Sequence, residues 1–534
     1  PENVLILIDG KPVMSRMSVK QGRSNERDTR GDTNWVPAEM VKSIEVIRGP
    51  AAARYGSGAA GGVVNIITKA PEEDLLQIGT SFDIPESNDE GMTQRYNLLW
   101  AKRLSNEVAL RFSANYNKTD GDEPDVNADE GTCEVDDDGV EICDYSAGSE
   151  GVVNKDFTLR LDWTPSSKNQ FNIELGYSRQ GNIFAGDTLR GGGADSSGEG
   201  TINQLADDGE ETNTMKRGTF ALTHLGSYNW GETNSFIQYE RTDNRRLTEG
   251  AAGGSEGTIN TTSDWDTAIL EAVSAKSEAY VNHVTWGRPS ALTFGAELRW
   301  EKLDVREYSS FSSITTDDGS YDSTSADGFT EQTTFGIYLE DNIEFNDRLT
   351  LTPSVRYDTA DTFGGTFSGG LNASYELSSE WTLKGGVAQA YKSPTVYQLS
   401  DGYVYTTRGN GCPYPYYRDG PCYVLGNSDL DPETSVNAEI GVAYAGSNGI
   451  NATLTYFHND YRDKIQAGTT QIGTTTVGGS ESRLYQWENV PESEVSGLEG
   501  SFAMPFGEDF NLTVNGTYMI SSKQQVHVDC GTTS

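Results

Sequence analysis

From about Gln77 to Ser522 the chain is written in alternation. In FTLRLDWTP, Phe157, Leu159, Leu161 and Trp163 share one face of an extended segment, with Thr158, Arg160 and Asp162 on the other. FNIELGYS repeats the pattern with Phe171, Ile173, Leu175 and Tyr177, and NATLTYFHND continues it with Leu454 and Tyr456. Period-two alternation sorts side chains onto the two faces of a pleated strand, and about 17 strands are predicted on this signal. Short polar turns at 164–170, 229–234, 345–349, 377–381, 445–451 and 505–510 alternate with long connections around 119–153, 181–212, 243–265, 306–332, 391–433 and 462–483. All long loops then emerge at one end of an up-and-down antiparallel sheet. A Greek-key sandwich would not do this; a transmembrane β-barrel does. Trp100, Trp163, Trp230, Trp286, Trp300 and Trp381 fall near strand ends, as an interfacial aromatic girdle requires. An odd set of antiparallel strands is expected not to close and to be followed by further strands.

Residues 1–75 lack this pattern. VLILIDG reads as a buried strand with a turn, VPAEMVKSIEVIRGP as a short helix starting near Pro37 and then a strand, and GGVVNIITK as another strand. Together they predict a compact α+β unit. Its segment ARYGSGAAGGVVNIITK contains a literal G-x-G-x-x-G at Gly56, Gly58 and Gly61. A dinucleotide fingerprint must open a helix, whereas this one runs into the β-branched stretch Val63–Thr68. Gly56, Gly58, Gly61 and Gly62 are therefore assigned to tight turns and close backbone approach. A bulky residue at Gly58 or Gly61 is expected to jam the unit.

Composition narrows the classes. No run of about 18 apolar residues exists, so transmembrane helices are excluded, while barrel strands are not. The net charge of −40 argues against a nucleic-acid partner. The densest acidic stretch, Asp120–Asp144, reads as a solvated loop without the spaced ligands of a calcium loop. Cys133 and Cys143, like Cys412 and Cys422, have nine residues between them inside polar, loop-like sequence. Each pair reads as a disulfide of an oxidising compartment, leaving Cys530 over. The four histidines (His224, His283, His458, His527) are scattered, and no nucleophile–base pair is visible, so the chain reads as a non-enzyme.

LILIDGKPV and SIEVIRGPAAARYGSGAAGGVVNIITK, with the barrel after them, resemble the TonB-dependent outer-membrane receptors. More narrowly, QGRSNERDTRGDTNWVPAEM (21–40), SRQGNIFAGDT (178–188), GNGCPYPYYRDGPCYVLGNSDLDPETSVNAEIG (409–441), YFHNDYRDKIQAG (456–468) and LYQWENVPESEVSGLEGS (484–501) are similar to the catecholate siderophore (ferric enterobactin) branch. The resemblance implies an all-β transmembrane barrel of a 22-stranded family, filled by an N-terminal α+β plug. The plug covers 1–75 and the barrel 76–534. Both are expected to be truncated here, lacking the energy-coupling segment and the terminal strands.

The implied function is active transport of a ferric catecholate siderophore across the outer membrane of a Gram-negative cell. TonB and its inner-membrane complex energise it. A receptor for haem, cobalamin or another siderophore is the alternative. No cofactor is implied, since the iron is cargo. Further partners are outer-membrane lipid and lipopolysaccharide, with bacteriocins or phage as additional candidates at the loops.

A ferric tris-catecholate is a trianion with flat aromatic arms, so its site calls for cations and aromatic faces. Three clusters meet that need: Arg16, Arg23, Arg27 and Arg30 ending at Trp35; Arg241, Arg245 and Arg246; and Tyr403, Tyr405, Arg408, Tyr414, Tyr416, Tyr417 and Arg418. The resemblance places binding arginines in the second loop, with Arg246 the best-aligned position.

Overall fold

The computed structural model describes residues 4–15, 35–47, 52–59, 61–123, 126–127, 132–135, 141–144, 148–185, 205, 208–247, 264–307, 315–316, 319, 328–400, 404–406, 412, 422–477, 480–507 and 510–524. Its N-terminal part is one four-stranded sheet of β1 (Leu5–Ile8), β2 (Lys11–Pro12), β3 (Val41–Ile47) and β4 (Val63–Thr68), in the order β2-β1-β4-β3. The unbroken apolar run of β1 is explained by burial on both faces. Leu5 and Leu7 pack with Ala59 and Val63, while Ile6 and Ile8 lie against Val13, Trp35 and Met215. The helix expected near Pro37 is a single 3-10 turn, Ala38–Met40. One helical turn, α1 (Ala52–Tyr55), precedes the glycines.

The rest is an antiparallel barrel around this plug. It begins with β5 (Leu75–Asp83), β6 (Thr93–Arg103) and β7 (Val108–Thr119), followed by a loop hairpin of β8 (Thr132–Val135) and β9 (Glu141–Asp144). The wall continues through β10 (Gly151–Ser166), β11 (Asn169–Ile183), β12 (Glu211–Tyr228), β13 (Gly231–Leu247), β14 (Trp265–Thr285) and β15 (Arg288–Glu307). Next come β16 (Phe329–Glu344), β17 (Leu349–Ala360), β18 (Gly364–Glu376) and β19 (Trp381–Lys392). A loop then carries α2 (Val396–Leu399), β20 (Val404–Thr406) and β21 (Cys422–Leu425). The last elements are β22 (Glu433–Ala445), β23 (Asn451–Ala467), the short β24 (Gly473–Val477), β25 (Ser480–Phe506) and β26 (Phe510–Gln524).

Polarity is inverted relative to a water-soluble sheet. On β10 the outward Phe157 is 46% exposed and the inward Arg160 only 8%. Inward positions across the wall bury Arg111, Asp156, Glu240, Glu278, Glu297, Arg356 and Asp358. An apolar exterior around a polar interior is what a strand wall needs in lipid. Among the described residues no helix is long and apolar enough to cross a membrane; strands do the crossing. Trp163, Trp230, Trp286 and Trp381 are exposed at the short-turn end. There they pack with Phe171, Tyr228, Phe345 and Tyr444 as one aromatic girdle. Trp300 instead lies within β15, toward the loop end.

Two expectations are corrected. The alternation of short turns and long loops is not strict, because β17 and β18 are joined at the loop end by residues 361–363 alone. The odd strand set was expected to stay open, yet in strand order β26 stands beside β5 and completes the ring. Both seam strands are nonetheless exposed over most of their length. Among the described residues no extended register joins them, unlike every other neighbouring pair of long strands.

Candidate functional site

Several polar side chains of the interior hold the plug. Near β10 and β11, Lys11 forms a buried ion pair with Glu174 at 2.6 Å. Arg111 of β7 donates to Thr68 Oγ1 at 2.9 Å and to the Lys69 carbonyl. Gln238 of β13 donates to the Pro12 carbonyl at 2.9 Å.

A denser contact forms at α1. Arg54 Nε donates to Glu278 Oε1 at 3.2 Å, and its Nη2 to the Tyr280 hydroxyl at 2.9 Å. Lys276 stands 3.0 Å from the same carboxylate. Burial opposes the Arg54 charge, but Glu278, Tyr280 and Tyr55 together outweigh it and the pKa is raised. Arg299 Nη2 donates to the Tyr55 carbonyl at 3.3 Å and Arg356 Nη1 to that of Arg54 at 3.4 Å. Both guanidiniums are held by Glu297, and Arg356 also by Asp358 at 2.7 Å. The Ser393 amide donates to Ser57 Oγ at 2.9 Å, so the plug turn is tied to strands from β14 to β19.

The glycines find their reason here. Gly56 has φ +70°, and a Cβ on it would lie 2.7 Å from the Arg356 guanidinium. Gly58 (φ +87°) has open space around it, so only its backbone demands glycine. Gly62 is also left-handed at φ +115°, and Gly61 lines a cavity with it. The residue that closes on the barrel is therefore Gly56, rather than Gly58 or Gly61.

Opposite this grip the plug stands off the wall. A cavity of about 340 Å³ lies between Val46, Gly61, Gly62 and Val64 of the plug and Glu439, Phe457 and Glu499 of β22, β23 and β25. At the loop end the described parts of the connection 393–432 fold inward. Its α2 is closed by a capping box between Thr395 and Gln398. Val404, Cys412, Cys422 and Tyr423 pack with Leu270 and Leu303 of the wall and Met14 of the plug. β21 runs parallel to β25, and the Cys412–Cys422 disulfide is formed.

The predicted site residues separate. Trp35 is buried, donates to Ser15 Oγ at 2.6 Å, and carries Arg217 over its ring at 5.6 Å. It is a plug-packing residue with its face covered. Arg246 is buried on the lumen face of β13, whereas Arg245 points outward and stacks on Trp265 at 4.3 Å. Arg23, Arg27, Arg30, Tyr403, Arg408 and Tyr416 lie outside the described residues, as does the side chain of Tyr405. Cys133 and Cys143 are directly opposed in the β8–β9 register, with their side chains outside the described set.

A plug ionically clamped inside a transmembrane barrel meets its counterparts in two family models. That for the TonB dependent receptor-like β-barrel matches residues 162–531, and that for the TonB-dependent receptor plug domain matches 1–63. The chain belongs to the TonB-dependent receptor family. It is an outer-membrane β-barrel. The ferric enterobactin receptor PirA of Pseudomonas aeruginosa is 42% identical over 531 residues, 98% of this chain and 69% of that protein. The ferrienterobactin receptor of Escherichia coli is 41% identical, covering 99% of this chain and 70% of its own. A variant of the P. aeruginosa ferric enterobactin receptor PfeA, solved in complex with enterobactin, superposes with a TM-score of 0.85 at 40% identity. That match covers 98% of this receptor and 74% of the solved chain.

The clamp of this receptor went unpredicted, although it left a trace. Lys276-x-Glu278, Glu297-x-Arg299 and Arg356-x-Asp358 each put opposite charges two residues apart, on the face of a strand opposite its apolar one.

Proposed function

We propose that this receptor binds a ferric catecholate siderophore of the enterobactin type at its loop end and passes it inward with energy drawn through TonB. The observation that carries the reading is about 41% identity to named ferric enterobactin receptors over nearly the whole chain, one of them solved with enterobactin bound. Chemistry supports it: a trianionic complex needs cations in a chain of net charge −40. Arg246, the plug arginines Arg23, Arg27 and Arg30, and the aromatic loop around Tyr403, Tyr405, Arg408 and Tyr416 supply them. The iron travels as cargo, and no bond is made or broken. The test is quenching of intrinsic tryptophan fluorescence by ferric enterobactin, haem and cobalamin in parallel. Saturable quenching by the catecholate alone is expected; saturation by haem or cobalamin instead would replace this cargo with the other.

A further inference from the structure

The inward face of the wall also carries a carboxylate outside the clamp. Glu240, Glu278, Glu297, Asp358 and Glu433 are buried, and each is paired with a Lys or Arg. Asp156 of β10 is as deeply buried, at 4% exposure, yet among the described residues no Lys or Arg stands within ion-pair distance of it. Its Oδ2 accepts from Asn115 Nδ2 at 3.1 Å, and the Ser178 hydroxyl, opposite in the β10–β11 register, also donates to the carboxylate. Oδ1 has no hydrogen-bond partner among the described residues. Arg217, next in the same cross-strand row beyond Ser178, is taken by Glu240 at 2.7 Å. A carboxylate buried alone is costly, and a partner cation, a proton or a metal ion is what relieves it.

The surroundings of that oxygen are rich in acceptors. Asn117 lies diagonal to Asp156, because the β7–β10 register sets Asp156 opposite Asn115 and Asn154 opposite Asn117. The Asn117 Oδ1 is likewise buried with no partner among the described residues. Diagonal neighbours on one face stand about 7–8 Å apart, so two such side chains can hold one ion between them. Asn154 and Gln180, both buried and opposed in register, add amide groups to the same wall. Two acceptors cannot satisfy each other, whereas a positive species between them satisfies both. Ligation by oxygen alone suits a hard cation. With one formal negative charge present, a monovalent ion leaves the cluster neutral, and a divalent ion would bury a net charge.

We propose that Asp156 and Asn117, with the Ser178 hydroxyl, form a binding site for a monovalent metal ion of the sodium type on the inner side of the barrel wall. The full receptor, exchanged into choline chloride, provides the test. Sodium replaces choline at constant ionic strength and pH while thermal unfolding is followed. A rise in the unfolding midpoint of about 2–4 °C is expected, saturating with sodium. Asp156→Asn, which keeps the shape and removes the charge, should abolish the rise. Asn117→Asp should transfer the response to calcium, because two carboxylates match a divalent charge, and this readout stands even where Asp156→Asn fails to fold. No rise in the wild type overturns the site, as does a full rise in folded Asp156→Asn or an Asn117→Asp receptor indifferent to calcium. Stabilisation by acid in choline, to which sodium adds nothing, would make the occupant a proton and also overturn it.

Discussion

The barrel wall treats the plug in two ways. From β7 to β19 it grips, through Lys11–Glu174, Arg111 on Thr68, and the buried knot of Arg54, Glu278, Arg299 and Arg356. From β22 to β25 it stands back across a cavity of about 340 Å³. A buried ion pair is weak as a source of net stability but costly to break by removing one member, because the other is left charged and dry. The gripped side is therefore specified by charge, and the open side is where the plug has room to shift.

The largest effect expected from this contrast is at Glu278. Glu278→Ala strands Lys276 and Arg54 beside the Tyr280 and Tyr338 hydroxyls, and should cost about 3–5 kcal/mol. Early melting and protease release of the plug would report it. Thr455→Val, at a β23 residue lining the cavity on the open side, should stay within about 0.5 kcal/mol. Equal effects at the two sites would abolish the distinction.

Replacing Cys412 and Cys422 together with serine removes a short loop closure and should cost about 2–3 kcal/mol. The loss should be confined to the mouth. Proteolysis within 393–432 is expected to rise while the plug stays protected, and plug release would show the two regions to be one unit. Next come the adjacent arginines on opposite faces of β13. Arg246→Ala should weaken catecholate binding by about 1.5–3 kcal/mol, the worth of a hydrogen bond to a charged group. Arg245→Ala should leave it unchanged in the same quenching titration.

The smallest contrast lies in the glycine turn. Gly58→Ala should cost about 1–2 kcal/mol from its left-handed backbone alone. Gly56→Ala should cost more, since it also pushes on Arg356, and paired thermal unfolding curves would rank them.

The barrel was legible in the sequence because alternation is local: Phe157, Leu159 and Trp163 declare their shared face without any partner. The rejection of a nucleotide site was legible for the same reason, since Val63–Thr68 cannot begin a helix. The reason for Gly56 was not, because the Arg356 guanidinium that crowds it is 300 residues away and only barrel closure brings it there. Strand register decided the arginines. Only the resemblance favoured Arg246 over its neighbour Arg245; adjacent strand residues face opposite ways, and it is Arg246 that faces the lumen. Trp35 was misread for its neighbourhood: among arginines it looked like a ligand platform, whereas its ring fills the plug beside Val13 and Met215.

Import of a ferric catecholate, driven through TonB, is the function proposed for this receptor. The most direct measurement is uptake of radiolabelled ferric enterobactin by cells whose own catecholate receptors are deleted, with this receptor supplied in the presence and absence of TonB. Saturable uptake is expected that requires TonB and falls with Arg246→Ala but not with Arg245→Ala. Uptake that is unsaturable or indifferent to TonB would contradict it.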